Sequence, residues 1–552
     1  MNRKRTGFQT LEGPRSAGKL IVGLLLCCAA LLPTPGFGAT YQVNREGSGD
    51  FATIQAAIDA AVDADVIVVH PGTYCENVHL DGENIVLRSL EPEDEAIVGS
   101  TIIDGGQNGS VVRFEGTESE MCLLSGFTIT NGIAYEGGGI WGGRYPGPGT
   151  HAGMSNCTIK GNSAYYGGAL CYCNGTIRDC TISGNLAGRY GGGLYYCDGP
   201  ISNCTISDNE AQGAGGGLAY CDGPISMCTI SDNSGDTAGG LYECYDTISN
   251  CTIVSNHAHS CGGLCLCYGR ISNCAICGNT AINGGGGVCS CTGAISNCTI
   301  CENATMYAGG GLSDCNGAIT NCIVWGNQGV QGGNQLYHCE SAVIMYCCVQ
   351  DWTGAGEGNI SDDPLFLMGP LGDCYLSCAA AGQPADSPCI DAGGDTAESL
   401  GLDKFTTRTD GVLDAGTVDM GYHYSLTLRQ SSYIEAKLNY PGEFAPGDPL
   451  VGFIEAQNRG PDVAVDAYIG FVLPNGEMIS LTANGLSMGT YPWVSNVVLP
   501  SGFHFGPRKV VRITVPDCPG SYLFAAALTN PGQFEFICEP SSFPFRILAR
   551  PL

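Results

Sequence analysis

The chain has 552 residues, of which 33 are cysteine and 84 are glycine, about twice the usual glycine share. Its net charge of −30 argues against nucleic acid and anionic membrane surfaces as partners. The length admits two or three domains with a sizeable core.

Residues 1–39 read as a secretory signal. Arg3, Lys4, Arg5, Arg15 and Lys19 form a basic stretch, an apolar run follows from Leu20 to Leu32, and Gly38 and Ala39 offer a cleavage site. The run is short for a membrane span. Cys27 and Cys28 raise a lipoprotein alternative, but Leu26 stands where such a signal wants a small residue. Removing residues 1–39 takes away five basic residues and one acidic residue, so the net charge moves from −30 to −34. The expected destination is secretion or the cell surface, with no membrane-spanning segment after the signal is removed.

The middle of the chain is periodic. Cys157, Cys180, Cys204, Cys228, Cys251, Cys274, Cys298 and Cys322 recur every 23 or 24 residues. A second series runs beside it at Cys173, Cys197, Cys221, Cys244, Cys267, Cys291, Cys315 and Cys339. Asparagine recurs at Asn162, Asn185, Asn209, Asn233, Asn256, Asn279, Asn303 and Asn327. A large aliphatic residue recurs from Leu170 through Leu194, Leu218, Leu241, Leu264, Val288 and Leu312 to Leu336. Registers locked to one period predict a solenoid of stacked coils, none of which can bury its own apolar face alone. Positions constant in character from coil to coil face the shared core, so the Leu, Ile and first Cys registers are read as inward. The position after each Leu varies (Cys171, Tyr195, Ala219, Tyr242, Cys265, Cys289, Ser313, Tyr337) and is read as outward. The second Cys series lies three residues after the Leu register, so alternation turns it outward unless the chain bends between them. Stacked Asn side chains are expected to hydrogen-bond along the ladder.

The motif Ile201-Ser-Asn-Cys-Thr-Ile-Ser-Asp-Asn209 followed by Gly215-Gly-Gly-Leu218 resembles right-handed parallel β-helix repeats of the pectin-lyase-like superfamily. It is also similar to the repeats of polymorphic outer-membrane proteins. Gly49-Asp-Phe-Ala-Thr-Ile-Gln-Ala-Ala-Ile58 and Pro71-Gly-Thr-Tyr-Cys-Glu-Asn-Val78 resemble the N-terminal cap and first coil of that superfamily. Ser387-Pro-Cys-Ile-Asp-Ala-Gly393 and Val418-Asp-Met-Gly-Tyr-His-Tyr424 resemble the distal end of large secreted bacterial β-helix proteins. The resemblance implies a fold and not an activity, because this fold carries many chemistries. The expected organisation is a signal (1–39), a parallel β-helix (40–350), a distal β-helix or cap region (351–424) and a C-terminal domain (425–552). In that last region strands are expected at Val451–Gln457, Ala467–Val472, Val510–Val515, Tyr522–Leu528 and Phe543–Leu548, separated by Pro-Gly and Asn-Gly turns. They suit an immunoglobulin-like antiparallel β-sandwich, in which Cys518 and Cys538 could form one disulfide. The fold class is all-β throughout.

Candidate chemistry is plentiful and mostly follows from the repeat. Cys274-x-x-Cys277 with Cys298-x-x-Cys301 has the spacing of a four-cysteine zinc site. Cys274 and Cys298 belong to the inward ladder, however, and residues three apart in an extended segment do not share a face. The spacing is therefore read as a by-product of the coil period. Most ladder cysteines are expected to be packed thiols, because in-register neighbours on parallel strands hold their Cβ atoms too far apart for an easy bridge. Cys171/Cys173 and Cys265/Cys267 are the pairs to check as exposed exceptions.

Gly72-x-Tyr74-x-Glu76 resembles a pectin methylesterase motif, but that family's other segments are missing, and Tyr74 and Glu76 are read as closing the first coil. Asp362-Asp363 reads as a turn. Arg178, Arg189 and Arg270 are isolated, His257 and His259 lack a metal-ligand partner, and no catalytic set emerges. Asn-Cys-Thr triplets at Asn156, Asn203, Asn250 and Asn297 follow from the repeat rather than from glycosylation. Asp391, Asp403, Asp410, Asp414 and Asp419 make the cap region acidic, with Asp403, Asp410, Asp414 and Asp419 as calcium candidates against turn capping. No other cofactor is expected. Tyr195, Tyr242 and Tyr337, with Tyr196 adjacent, are candidates for a binding surface. The favoured reading is a non-enzymatic adhesion or glycan-contact scaffold whose partners are polysaccharide or cell-surface components. The runner-up is a polysaccharide lyase or epimerase acting in the solenoid groove.

Overall fold

The computed structural model describes residues 38–143, 147, 149–369 and 372–425, and, further on, 432–438, 443–444, 446, 449–458, 463–474, 478–482, 485–499, 503–514, 520–529 and 541–547. The signal stretch 1–37, Cys518 and Cys538 lie outside the described residues. The described residues form two units, within residues 37–426 and 427–552.

The first unit is a right-handed parallel β-solenoid. Its strands stack in four parallel sheets, or faces. The first has 13 strands, from Thr40–Val43 to Ile344–Met345, and the second has 12, from Gly72–Tyr74 to Cys348–Val349. The third has 9, from Ile133–Glu136 to Gln328–Gly329, and the fourth has 11, from Val78–His79 to Leu336–Tyr337. One coil takes its strands in that order: Ile201–Ser202, Thr205–Ser207, Glu210–Ala211 and Leu218–Ala219. Like residues pair with like in the next coil, as Ile201 with Ile225, Thr205 with Thr229 and Leu218 with Leu241.

Three corners of each coil share one design: an inward residue, an outward residue, a left-handed residue, then a second inward residue. Asn203 (φ +51°) stands between Ser202 and Cys204, Asp208 (φ +55°) between Ser207 and Asn209, and Tyr220 (φ +55°) between Ala219 and Cys221. The left-handed residue breaks the strict two-residue alternation, so side chains three apart both enter the core. This bend places the second cysteine series inside. Cys173, Cys197, Cys221, Cys267, Cys291 and Cys315 are fully buried and Cys339 nearly so. Residues Asn156, Asn203, Asn250 and Asn297 all occupy the first such corner, with φ between +51° and +55°. The recurring Asn-Cys-Thr triplet is thus a turn device, asparagine being among the side chains that tolerate this conformation best.

The asparagine ladder is continuous. Asn209 donates from its backbone N and its Nδ2 to Asn233 Oδ1, both at 3.0 Å, and from Nδ2 to Ile182 O at 2.9 Å. The same pattern runs from Asn162 to Asn327, where Gln335 Oε1 accepts from Asn327 Nδ2 at 2.7 Å. The thiols of the first cysteine series donate in the same sense; Cys204 Sγ lies 3.2 Å from Ser202 O and 3.7 Å from Ile177 O. All 29 described cysteines are free thiols. Cys171 and Cys265, singled out as exposed exceptions, are buried as well, and Cys75 is the exposed one.

The N-terminal end of the core is covered by a short helix, Ile54–Ile58, which buries Ile54 and Ile58. Its first turn is held by Thr53 Oγ1 and by Glu76, whose two carboxylate oxygens accept from Ile54 N and Gln55 N at 3.0 Å each. A carboxylate on the free N–H groups of a helix start is a structural bond. Tyr74 donates its hydroxyl to His70 O at 2.9 Å. Both residues of the esterase-like motif therefore help close the first coil.

Residues 351–424 do more than extend the distal end. Ile360 still bridges Cys348, but the chain then makes an antiparallel hairpin, Phe366–Gly369 with Gly372–Leu376, and a second pair, Phe405–Thr406 with Tyr424–Ser425. These segments lie along the outer side of the second face. Asn273 and His423 exchange two buried bonds, His423 N to Asn273 Oδ1 at 2.7 Å and Asn273 Nδ2 to His423 O at 3.0 Å. Tyr422 N donates to Thr299 Oγ1, Gly421 N to Asn321 O and Gly394 N to Asn321 Oδ1. Asp363 sits in a turn, as expected, with Oδ1 accepting from Leu365 N.

In the second unit, Ser432–Leu438, Pro449–Asn458 and Phe503–Thr514 form one antiparallel sheet. A second sheet orders Glu443–Phe444, Ser541–Ile547, Gly520–Thr529, Val463–Val472, Met478–Thr482 and Gly485–Met488, with Val494–Leu499 also on Val463–Val472. The arrangement is compatible with a β-sandwich.

Candidate binding surface and thiol clusters

The third and fourth faces meet at the glycine run of each coil. A Cβ on Gly191 (φ +65°) would come 2.2 Å from Leu194 O, and one on Gly192 2.4 Å from Gly216 O, so neither position has room for a side chain in this coil, whereas later coils place Ala238 and Cys261 in the Gly191 register. The corner is concave toward the outside, since residues from both flanks touch there. Tyr166 and Tyr190 end strands of the third face, while Tyr195 and Tyr242 belong to the fourth. Tyr195 stacks on Tyr166 with ring centroids 5.0 Å apart and planes 16° off parallel. Tyr190 stacks on Tyr195 at 6.1 Å and on Tyr242 at 6.4 Å. A second row follows at the left-handed corner, where Tyr172 stacks on Tyr196 at 5.8 Å and Tyr196 on Tyr220 at 5.1 Å.

Tyr195 is only 8% exposed and forms the floor of this cleft rather than an open outward surface. The correction has a simple cause: the register points away from the solenoid core, but the concave corner folds the neighbouring face over it. Tyr196 and Tyr242 are half-buried in the same cluster, whereas Tyr337 lies coils away, against Tyr307 and His338. The residues brought together also include Tyr166, Tyr190, Tyr172 and Tyr220. Their signal was the flanking of one glycine run by aromatics, as in Tyr190-Gly-Gly-Gly-Leu-Tyr-Tyr196. Arg189 adds a guanidinium 4.9 Å over the Tyr190 ring and donates to Tyr166 Oη at 3.3 Å. Burial raises the Tyr195 and Tyr242 hydroxyls above the ordinary phenol range and pushes Tyr220 up to about 12. All three remain hydrogen-bond donors at neutral pH. Beside the cleft, Tyr135 and Tyr165 stack at 5.4 Å and are 66% and 41% exposed.

The four-cysteine arrangement does not form, as expected from strand geometry. Cys274 and Cys298 point into the core, fully buried, whereas Cys277 and Cys301 point out of the second face. There they meet Cys374 from the returning hairpin, with Sγ–Sγ distances of 3.7 Å to Cys277 and 3.6 Å to Cys301. A second trio, Cys261, Cys265 and Cys289, gathers where the concave corner continues past the tyrosines. The sulfurs within each trio all lie within 4.8 Å of one another. Hydrogen bonds from Cys277 and Cys301 hold the Cys374 thiol well below the usual range.

The acidic cap residues do not share one site. Asp414 Oδ2 accepts from His423 Nε2 at 2.8 Å and from Asp419 N at 3.0 Å, in a fully buried setting for His423. Asp419 accepts from Asp391 N and from the Thr407 hydroxyl. Asp410 is held by Arg408 at 2.6 Å, and Asp403 is half-buried apart from them. Arg178 pairs with Asp179, Arg270 donates to Ser296 Oγ, and His257 and His259 meet Thr280 and Asn283.

Residues 89–239 match the family model described as right handed beta helix region. No curated protein sequence matches this chain. A solved structure that matches is the crystal structure of a pectin methylesterase mutant in complex with a hexasaccharide. It is 12% identical, with 60% of this chain and 94% of that chain covered and a TM-score of 0.21.

Proposed function

We propose that this right-handed parallel β-helix serves as a secreted or cell-surface scaffold that contacts polysaccharide through its tyrosine cleft without transforming it. The stacked tyrosines carry the reading. Rings supplied by successive coils offer apolar faces edged by hydroxyl donors, the combination that matches the C–H faces and hydroxyls of pyranose rings. The basic and apolar residues within 1–39 support export. A net charge of −30 disfavours polyanions, so neutral glycans are the preferred ligands over uronates.

Native gels cast with single polysaccharides test this. A neutral glycan should retard the protein, and a Tyr190→Ala/Tyr242→Ala double variant should weaken that retardation at least about tenfold, by analogy with aromatic hot spots. Retardation by no neutral glycan, or equal retardation of the double variant, would refute the cleft as a binding surface. Release of unsaturated sugars or new reducing ends on incubation would replace the scaffold with an enzyme.

A further inference from the structure

The outward positions of the second face change character along the stack. Ser183, Ser207 and Ser231 are followed in the same register by Val254, Cys277, Cys301 and Trp325. The neighbouring position changes from exposed Thr181, Thr205 and Thr229 to buried Ala275, Thr299 and Ile323. The returning segment covers this strip, and within it three thiols converge from two stretches of chain far apart in sequence. Cys277 and Cys301 are register partners on adjacent parallel strands, and Cys374 faces them from the hairpin. Cys301 and Cys374 are 5% and 7% exposed, while Cys277 is half-buried and gives access from solvent.

We propose that Cys277, Cys301 and Cys374 form a zinc site that fastens the returning segment to the solenoid. The two separations from Cys374, 3.6 and 3.7 Å, match the edge of a tetrahedral zinc–thiolate centre, about 3.8 Å for Zn–S bonds of about 2.3 Å, and the third edge lies within 4.8 Å. Binding removes one proton from each thiol to solvent and forms three Zn–S bonds, leaving the fourth tetrahedral position to water. The resulting complex carries a single net negative charge. A monovalent soft ion would leave two such charges at a site where Cys301 and Cys374 are nearly buried. The peptide N–H of Cys374 donates to Tyr424 Oη at 2.9 Å, and Tyr424 stacks on Tyr375 at 3.8 Å, so the hairpin ligand is held in place from behind.

The test is metal analysis of the full chain, purified without oxygen and reloaded with zinc. Wild type should lose one zinc per chain on Cys374→Ser or Cys277→Ser, and none on Cys274→Ser or Cys289→Ser. Cobalt-loaded wild type should show thiolate-to-metal charge-transfer bands, which need no variant to fold. Zinc loading should also slow proteolytic cutting within residues 351–424. Wild type that takes up no zinc, zinc content unchanged in the Cys374→Ser and Cys277→Ser variants, or a Cys374 disulfide to Cys277 or Cys301 in protein kept reduced would overturn the proposal.

Discussion

At the scale of single residues, the coil depends on a backbone conformation that most side chains avoid. Gly184 (φ +62°) and Asp208 (φ +55°) occupy the same corner of successive coils, so the strain can be compared within one molecule. Asp208→Gly should shift stability by less than about 1 kcal/mol, relief of strain being offset by the extra freedom of the unfolded chain. Asp208→Val should cost about 2 kcal/mol, and urea midpoints compare the two. Asn233→Ala is expected to be worse, about 3 to 5 kcal/mol, because it strands the amide donors of Asn209 and the carbonyl of Ile206 in a dry core. The thiols make a further prediction. Burial pushes Cys298 and Cys322 well above the usual thiol range, and the Cys180 thiol followed by burial does so for Cys157. A thiol whose folded pKa is raised stabilises the fold fully below the unfolded pKa of about 8.5 and loses that contribution as pH rises toward the folded value. Each such thiol should therefore remove about 1.4 kcal/mol per pH unit above that point, seen as steep alkaline unfolding by circular dichroism.

At the scale of elements, one corner residue does two jobs in different coils. The Asn203 side chain donates to Asp179 of the coil before it, whereas Asn273 in the same register, besides donating to Asn250, also grips the backbone of His423. Asn273→Ala should weaken the docking of residues 351–424 by about 2 kcal/mol and speed proteolysis there, while Asn203→Ala should leave the cutting rate of that segment unchanged. The contrast shows where sequence reading succeeded and where it stopped. Coils, inward Leu, Ile and first-series Cys positions, and the asparagine ladder were legible because each repeats eight times and alternation does the rest. The second cysteine series was not, because one left-handed residue reverses the parity of everything after it, and residues as different as Tyr220, Glu243 and Leu266 occupy that position. The returning segment was hidden for another reason. Its only trace was the replacement of outward Ser and Thr by Val254, Cys277, Cys301, Ile323 and Trp325, legible once a second layer is allowed for. In the second unit the five expected strands fall within Pro449–Asn458, Val463–Val472, Phe503–Thr514, Gly520–Thr529 and Ser541–Ile547, with the expected end residues Val515 and Leu548 lying outside the described residues. Ser432–Leu438, Glu443–Phe444, Met478–Thr482, Gly485–Met488 and Val494–Leu499 were missed, being short or interrupted by polar residues.

At the scale of the molecule, a solenoid's stability is roughly a sum over neighbouring coils, so whole coils should be removable. Deleting residues 205–228 joins Cys204 to Thr229 in the register that Cys228 now holds, and brings Tyr195 directly against Tyr242. The shortened protein should fold and show a proportionally smaller denaturant m-value, whereas deleting Thr205 alone should yield no soluble folded protein, since it turns one strand inside out. The two ends of the asparagine ladder have a consequence of their own. A parallel stack with one identical amide per layer has the geometry of a growing fibre, in which each layer is a template for the next. Here Gly132 N occupies the Oδ1 of Asn162 at 2.9 Å, and Gln335 turns its own amide onto Asn327 O and Gln350 Oε1. Both terminal amides are spent within the chain, so a second molecule finds no vacant amide on which to continue the row, and elongation by end-to-end addition is blocked where the repeat itself would invite it.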